Sequence, residues 1–234
     1  TAAGNATMAS KSVQYDAPNG TQIISKPLAS LSGLTLTGVN GSDLSNYEPL
    51  ANTSTSVTVT PLALTLVAPN ATKVYDGTTI LQPTAADLTA LSAQLVGGDR
   101  ASSAAITYNN QNAGANKTVT LNSVVVSDDN GGHNYVISVA DSHSGEITKA
   151  PLTVTAVNDA KFVTQVDSAG YGGVLYNGFV AGETAAVLTA GSVSRSNAGT
   201  NAAGTYNSVL MPSGWSAQNY DISYQAGTYT IVPA

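Results

Sequence analysis

Residues 134–155 read Asn-Tyr-Val-Ile-Ser-Val-Ala-Asp-Ser-His-Ser-Gly-Glu-Ile-Thr-Lys-Ala-Pro-Leu-Thr-Val-Thr, and the outline of this stretch occurs three times. Each copy has an Asn-Tyr pair, a segment rich in Thr and β-branched residues, and then a proline. The pairs are Asn46-Tyr47, Asn134-Tyr135 and Asn219-Tyr220, and the prolines are Pro61, Pro151 and Pro233. The tyrosines are 88 and then 85 residues apart. A period of this size predicts tandem copies of one structural module.

The period divides the 234 residues into three modules, which we call repeat 1 (1–60), repeat 2 (61–150) and repeat 3 (151–234). Counted back from Tyr47, Thr1 corresponds to Thr89 of repeat 2. We therefore expect repeat 1 to be a partial module, either truncated or genuinely short. Each full module is long enough for one modest hydrophobic core.

Composition limits the classes of function. Charged residues make up 9% of the chain and apolar residues 42%, which is typical of β-modules with neutral surfaces and not of disorder. The net charge is −6 and the eight basic residues are dispersed, so we expect neither nucleic acid nor an anionic membrane surface as a partner. No run of 18 apolar residues predicts membrane insertion. The chain has no cysteine, which fits a cytosolic or an exported bacterial protein, and the scarcity of Lys and Glu favours the exported one.

Strand patterns dominate the chain. Residues 56–60, 62–67 and 152–157 alternate β-branched and polar side chains, and 118–121 and 124–126 form another pair of short strands. We predict that each repeat ends in a hairpin, with 136–139 pairing with 146–148 and 221–224 pairing with 228–232. Because proline cannot donate to a sheet ladder, the three prolines are expected to mark module boundaries and to stiffen the joints.

One helix is predicted at residues 84–96. Thr84 is placed to cap it and Asp87 completes a capping-box spacing, while Gly97-Gly98 would end it. A shorter helical turn is expected near 182–188. The fold class is therefore all-β with a short helix: tandem small Ig-like β-sandwich modules in a linear array. Modules resembling the β-grasp fold, with a sheet curled on the helix, are the alternative.

Residues 73–79, Lys-Val-Tyr-Asp-Gly-Thr-Thr, resemble the signature of the YDG domain, a module that recurs in large bacterial surface proteins. Gly97-Gly98-Asp99 and the closing segment from Asn134-Tyr135 to Leu152 are similar to the same pattern. Residues 1–60 resemble only the later part of such a module, through 34–38 and Asn46-Tyr47.

Repeat 3 resembles the related MBG module, through residues 176–183, Gly204-Thr205-Tyr206 and Asn219-Tyr220. It departs from that pattern at 161–163, where Lys-Phe-Val stands in place of an expected Tyr-Gly. The resemblance implies a filamentous-haemagglutinin-like or similar giant adhesin, exported to the outer surface of a Gram-negative bacterium, in which such modules form stalks.

The motif residues are interpreted as structural. Tyr75-Asp76-Gly77 could be a binding loop, but Asp-Gly suits a tight turn, with the tyrosine ring packed and its hydroxyl bonded to backbone. In the Asn-Tyr pairs, we expect Asn to close a turn and Tyr to pack in the core at the start of the hairpin.

No catalytic or metal centre is predicted. The chain shows no nucleophile elbow or metal-ligand spacing, so we expect no enzyme activity and no cofactor. Residues 128–134 form the one oxygen-rich loop, and calcium is considered there only as a weak alternative to a solvated loop. A Lys–Asn isopeptide crosslink is conceivable at Lys73, Lys117 or Lys149, assisted by Glu146 or Glu183, although ordinary surface lysines are the expected case.

These observations favour a structural stalk that spaces an adhesive tip from the cell surface in adhesion or biofilm formation, with neighbouring modules of the same long chain as partners. As a fragment the chain is expected to be monomeric. The alternative is a module that binds glycan or matrix polysaccharide. Its candidate contacts are the aromatic residues Trp215, Tyr206, Tyr220 and Tyr224.

Overall fold

The structure is a computed structural model. It describes residues 60–180 and 182–234 in full, and from 1 to 59 only the backbone of five strands. Those five strands are β1 (Ala2–Ala3), β2 (Thr7–Met8), β3 (Gln22–Ser30), β4 (Thr35–Leu36) and β5 (Ser54–Val59).

Repeat 2 contains seven strands and one helix within the described residues. They are β6 (Leu62–Val67), β7 (Thr72–Val74), β8 (Ile80–Leu81), α1 (Ala85–Ser92), β9 (Arg100–Tyr108), β10 (Gly114–Ser127), β11 (Tyr135–Ala140) and β12 (Ser142–Thr148). Repeat 3 follows with a further seven strands and one turn of 3-10 helix. They are β13 (Ala150–Ala156), β14 (Asp159–Phe162), β15 (Val174–Asn177), the 3-10 turn Ala185–Val187, β16 (Ser192–Arg195), β17 (Gly204–Ser213), β18 (Tyr220–Gln225) and β19 (Gly227–Val232).

Repeats 2 and 3 share two parallel strand pairings. In repeat 2, β6 pairs with β11 in parallel, and β7 pairs in parallel with β12 in the five-stranded sheet β7-β12-β10-β9-β8. In repeat 3, β13 pairs with β18 in parallel, and β14 with β19 in the four-stranded sheet β14-β19-β17-β16. The first strand of each repeat therefore lies beside the strand that the Asn-Tyr tyrosine begins.

The predicted terminal hairpins are wrong. In repeats 2 and 3 the Asn-Tyr strand and the final strand belong to different sheets, although only Asp141 or Ala226 separates them. One residue is too short a loop for a hairpin, whose tightest common turn has two. The chain therefore passes from one sheet to the next. The second error concerns residues 118–126, which form part of one continuous 14-residue strand, β10.

The predicted helix is present but shorter. Thr84 caps it, and the capping box is complete, since the Thr84 hydroxyl accepts from the Asp87 N–H at 3.2 Å and the Asp87 carboxylate accepts from the Thr84 N–H at 2.8 Å. The helix ends at Ser92, well before Gly97-Gly98, and the following residues form isolated turns. The shorter helical turn expected near 182–188 is the 3-10 turn.

The chain divides into two compact units that do not coincide with the repeats. Unit 1 contains Thr1–Val67, Thr84–Ala104 and Ser123–Ala140, and its described core includes Leu66, Leu91 and Tyr135. Unit 2 contains Ala68–Pro83, Ala105–Asn122 and Asp141–Ala234, so it combines one part of repeat 2 with the whole of repeat 3. Its fully buried side chains include Val119, Leu121, Ile147, Leu152, Val154, Leu210, Tyr229 and Ile231. The prediction of a mainly β fold with a short helix is confirmed, whereas the linear array and the boundaries of the three modules stay predictions.

Candidate functional site

The Asn-Tyr pairs occupy equivalent positions in repeats 2 and 3. The Asn134 carbonyl accepts from the Leu62 N–H at 2.8 Å, and the Asn219 carbonyl accepts from the Ala150 N–H at 2.9 Å. The following residues, Tyr135 and Tyr220, start β11 and β18 and are buried. The first pair, Asn46-Tyr47, lies outside the described residues.

Each of these tyrosines binds a turn that ends in a carboxylate. In repeat 2 the Tyr135 hydroxyl donates to Asp99 Oδ2 at 2.6 Å and accepts from the Val96 N–H at 3.2 Å. The Asp99 N–H closes the turn by donating to the Val96 carbonyl at 3.2 Å. We call Val96, Asp99 and Tyr135 the repeat 2 carboxylate site.

Repeat 3 has the same arrangement. The Tyr220 hydroxyl donates to Glu183 Oε2 and accepts from the Val180 N–H at 2.9 Å, while the Glu183 N–H donates to the Val180 carbonyl at 3.0 Å. We call Val180, Glu183 and Tyr220 the repeat 3 carboxylate site. The third residue of both turns is a glycine with positive φ, 88° at Gly98 and 86° at Gly182, a backbone conformation that other residues rarely adopt.

The repeat 3 carboxylate site also binds the YDG tyrosine of repeat 2. The Tyr75 hydroxyl donates to Glu183 Oε1 at 2.6 Å, so one carboxylate accepts from two phenols. The rings of Tyr75 and Tyr220 meet edge to face, with centroids 5.8 Å apart. Both tyrosines are at most 3% exposed. This contact lies within unit 2, and we call it the Tyr75 junction.

The junction changes the acid–base properties of both phenols. Hydrogen bonding to Glu183 and burial raise the pKa of Tyr75. Burial and the hydrogen bond to Glu183 raise the pKa of Tyr220 to about 12. A phenol that donates to a carboxylate in a buried place resists ionisation because its anion would face a second negative charge. Both hydroxyls therefore stay protonated donors at neutral pH.

Backbone and amide contacts extend the junction. The Asn219 side chain accepts from the Ala113 N–H at 2.9 Å and donates to Asn112 Oδ1 at 3.2 Å, which ties repeat 3 to the β9–β10 loop of repeat 2. Lys149 Nζ donates to the Ala217 carbonyl at 3.1 Å. A side chain added at Gly77 would place its Cβ 3.3 Å from Val180, and Gly77 has a φ of 77°.

The middle residue of the Tyr-Asp-Gly motif holds the loop. Asp76 Oδ1 accepts from Lys73 Nζ at 2.6 Å and from the Thr78 N–H at 2.9 Å. Burial alone would raise the pKa of Asp76, but the hydrogen bonds from Lys73 and Thr78 outweigh it and lower this pKa. The residues of the motif therefore have two roles. Asp76 and Gly77 form the turn, and Tyr75 contacts the next repeat. The Tyr75 hydroxyl bonds a carboxylate, not the backbone as expected.

The prolines hold different places in the two repeats. Pro61 precedes β6, whereas Pro151 is the second residue of β13 and lies opposite Asp221. Its missing N–H is tolerated because β15 ends opposite Thr153, so the strand edge at Pro151 has no ladder partner there. Pro233 follows the last strand.

The position of Tyr75 is occupied by Val163 in repeat 3. The Tyr75 N–H donates to the Thr148 carbonyl, and the Val163 N–H donates to the equivalent Val232 carbonyl, at 2.8 and 3.0 Å. Repeat 3 therefore lacks the phenol with which repeat 2 contacts its neighbour. This is the place where the sequence departs from the MBG pattern.

The aromatic residues proposed for glycan binding form only part of a cluster. Trp215 lies 6.3 Å from Tyr224 and 6.4 Å from Tyr176, measured between ring centroids, and Tyr224 is 40% exposed. Tyr220 belongs to the junction, and Tyr206 packs against the repeat 3 core beside Leu210 and Tyr229. A Cβ added at Gly191 would lie 2.4 Å from the indole, so the Gly191 backbone covers part of the Trp215 ring.

The oxygen-rich loop is closed by its own backbone. Asp128 accepts from the N–H groups of Asn130, Gly132 and Asn134 at 2.7–3.0 Å. Burial alone would raise the pKa of Asp128, but these three hydrogen bonds lower it. Within the described residues no group of three or more His, Cys, Asp or Glu side chains is placed to hold a metal. Calcium binding stays a prediction.

Of the three lysines considered for an isopeptide crosslink, Lys117 is buried, with 8% of its surface exposed, and contacts an asparagine. Its Nζ donates to Asn110 Oδ1 at 2.5 Å, and burial lowers its pKa. No ion pair to Lys117 occurs in the part of the chain that the structure describes. An amide-forming reaction needs a carboxylic acid to move protons, so this pair is better explained as a structural hydrogen bond.

Sequence reasoning missed a buried charge cluster in repeat 3. Asp167 accepts a bidentate pair of bonds from Arg195 at 2.8 and 3.1 Å and forms an ion pair with Lys161 at 2.8 Å. The Arg195 guanidinium lies 4.8 Å from the centre of the Tyr229 ring. Burial alone would raise the pKa of Asp167, but its bonds with Arg195 and Lys161 outweigh it and lower this pKa to about 2. No spacing in the sequence links these residues; Asp167 and Tyr229, for example, are 62 positions apart.

Comparison with known families places two domains on the chain. The family model of the YDG domain matches residues 60–143, and that of the MBG domain (YGX type) matches residues 152–230. No curated protein and no solved structure matches the chain. Helices long and apolar enough to cross a bilayer are not found among the described residues.

Proposed function

We propose that this chain, a YDG domain followed directly by an MBG domain, is a stalk segment of a secreted bacterial adhesin that spaces an adhesive tip from the cell surface. YDG and MBG domains are typical of extracellular repeat proteins, which supports placement outside the cell. Adhesion and biofilm formation are the processes in which such a spacer would act. We propose no enzyme activity, no resident cofactor and no nucleic-acid partner.

The Tyr75 junction is the observation that carries this proposal. A flexible linker between domains would leave their surfaces solvated, whereas here the facing phenols of Tyr75 and Tyr220 are buried against one carboxylate. A carboxylate that accepts from two neutral donors needs no counter-ion and gives directional bonds. Such a contact fixes orientation, which is what a spacer under tension requires.

Small-angle scattering of the 234-residue chain tests the proposal. A single merged globule of this length has a radius of gyration of about 18 Å, whereas modules joined end to end give a clearly larger value. We expect the larger value, with a single maximum dimension at all protein concentrations. The Glu183→Ala variant should broaden the distribution of dimensions, and the exposed Glu146→Ala variant should not. A radius near that of a merged globule would overturn the stalk.

Glycan or matrix-polysaccharide binding is the second candidate. The half-exposed pair of Trp215 and Tyr224 supports it, since sugars stack on aromatic faces. Glycan-array binding that disappears in the Trp215→Ala variant and persists in Tyr206→Ala would favour this alternative. An array without signal above background would remove it.

A further inference from the structure

We propose that the repeat 2 carboxylate site is a second junction, which binds the tyrosine of a Tyr-Asp-Gly loop from a preceding YDG module. This inference rests on the proposed stalk and identifies the kind of neighbour that repeat 2 accepts. The two carboxylate sites hold their tyrosines with the same type of turn. Asp99 and Val96 hold Tyr135 through the same donor and acceptor atoms with which Glu183 and Val180 hold Tyr220.

The two sites differ in the second oxygen of the carboxylate. Glu183 Oε1 accepts from Tyr75 at 2.6 Å. Asp99 Oδ2 accepts from Tyr135, but Asp99 Oδ1 has no hydrogen bond to any residue that the structure describes. The second oxygen of the Asp99 carboxylate is therefore the equivalent of the Glu183 oxygen that binds the Tyr75 hydroxyl in the repeat 3 site.

Exposure distinguishes the sites in the same way. Val96 is 53% exposed, whereas Val180 is half-buried beside Gly77. Leu62 is 43% exposed, whereas Ala150, which makes the equivalent bond to the Asn-Tyr pair, is 4% exposed. Exposed apolar side chains in the turn and beside the Asn-Tyr pair suit an aromatic ring that carries a hydroxyl donor.

The chemistry of the site selects tyrosine. A lysine or a serine would supply a donor without a ring to pack against Tyr135, as the ring of Tyr75 packs against Tyr220. Asp99 is one methylene shorter than Glu183, so the incoming ring must approach the turn more closely. The Tyr-Asp-Gly loop can do so, because Gly77 in the existing junction already lies against Val180.

A lengthened chain tests the proposal. Residues 62–149 are duplicated in frame, so that residues 1–149 are followed by 62–234. Leu62 then follows Lys149 in the place of Ala150, which makes the equivalent backbone bond. The photoreactive residue p-benzoylphenylalanine replaces Tyr75 in either the first or the second copy, and crosslinked tryptic peptides are identified by mass. Trypsin releases Val74–Arg100, which contains the repeat 2 turn, and Phe162–Arg195, which contains the repeat 3 turn.

The photoreactive residue in the first copy should crosslink to Val74–Arg100 of the second copy, which is distinguished by its unmodified Tyr75. The Val96→Trp substitution in the second copy should abolish this product, and the equally exposed Val125→Trp should leave it unchanged.

The second-copy variant serves as the internal reference, because it should crosslink to Phe162–Arg195. If this reference product forms but the first-copy product does not, the second junction is wrong and the stalk survives. If neither forms, the Tyr75 junction and the stalk both fail.

Discussion

Replacing Glu183 with glutamine removes the charge that two buried phenols share. The carboxylate accepts from Tyr75 and Tyr220, and the amide offers only one oxygen, so one hydroxyl must face an NH2 donor. A hydrogen bond to a charged group contributes about 1.5–3 kcal/mol when buried. Glu183 itself is partly exposed, which lets water replace part of the loss. We therefore expect Glu183→Gln to lower the free energy of unfolding of unit 2 by about 2 kcal/mol.

Equilibrium denaturation followed by Trp215 fluorescence measures this change, since Trp215 is the only tryptophan and lies in repeat 3. Glu146→Gln is the matched control, because Glu146 is exposed and the chemical change is the same. The control should stay within about 0.5 kcal/mol of the wild type. If Glu183→Gln behaves like this control, the shared carboxylate contributes nothing to the fold and the reasoning is refuted.

Three further predictions concern pH and packing. The pKa of Asp167 falls from 3.8 to about 2 on folding, so the ionised carboxylate should contribute about 2 kcal/mol to the free energy of unfolding above pH 4. This contribution should be lost as the pH falls towards 2. In acid unfolding, the stability of Asp167→Asn should therefore depend less on pH than that of the wild type. The pKa of Tyr220 rises from 10 to about 12 on folding, so its protonated hydroxyl should contribute fully to the free energy of unfolding below pH 10. This contribution should be lost between about pH 10 and 12. Tyr220→Phe should remove this alkaline transition from a fluorescence titration. A methyl group at Gly145 would lie 2.3 Å from the Val119 side chain. Gly145→Ala should therefore lower the free energy of unfolding, measured in urea, by about 1–3 kcal/mol. The control is Gly199→Ala, which has open space around it and should leave this free energy nearly unchanged.

The sequence period indicated that repeats 2 and 3 contain similar elements in the same order. In repeats 2 and 3 the Asn-Tyr pairs do lie at equivalent places, where each tyrosine begins a strand. The helix cap at Thr84 was also readable, since a capping box involves residues three positions apart. The helix cap could be predicted because the residues that form it are close in sequence.

Strand pairing was harder to predict. The hairpins expected at the ends of repeats 2 and 3 do not form among the described residues, because β11 and β18 pair with the first strand of their repeat, some 70 residues earlier. Alternation of polar and apolar residues indicates a strand and its buried face, but not its partner. The single-residue connection that excludes a hairpin becomes visible only once the ends of the strands are known from the structure.

The carboxylate sites were only partly visible in the sequence. Asp99 and Glu183 each stand three residues after a valine and one after a glycine, and this shared pattern links the two turns to the two Asn-Tyr pairs. The contact from Tyr75 to Glu183 spans 108 residues and joins two repeats, so no local pattern predicts it. The grouping of the glycan candidates was equally hard to predict: Trp215 lies beside Tyr224, whereas Tyr206, which is near Trp215 in sequence, packs against the repeat 3 core.

The most direct test of the Tyr75 junction is a double-mutant cycle between Tyr75→Phe and Glu183→Gln, read by denaturation through Trp215. If the phenol of one repeat is bound by the carboxylate of the next, the two substitutions should be coupled by about 1 kcal/mol or more. Effects that add to within about 0.3 kcal/mol would contradict a direct bond between the repeats and, with it, the fixed joint on which the account depends.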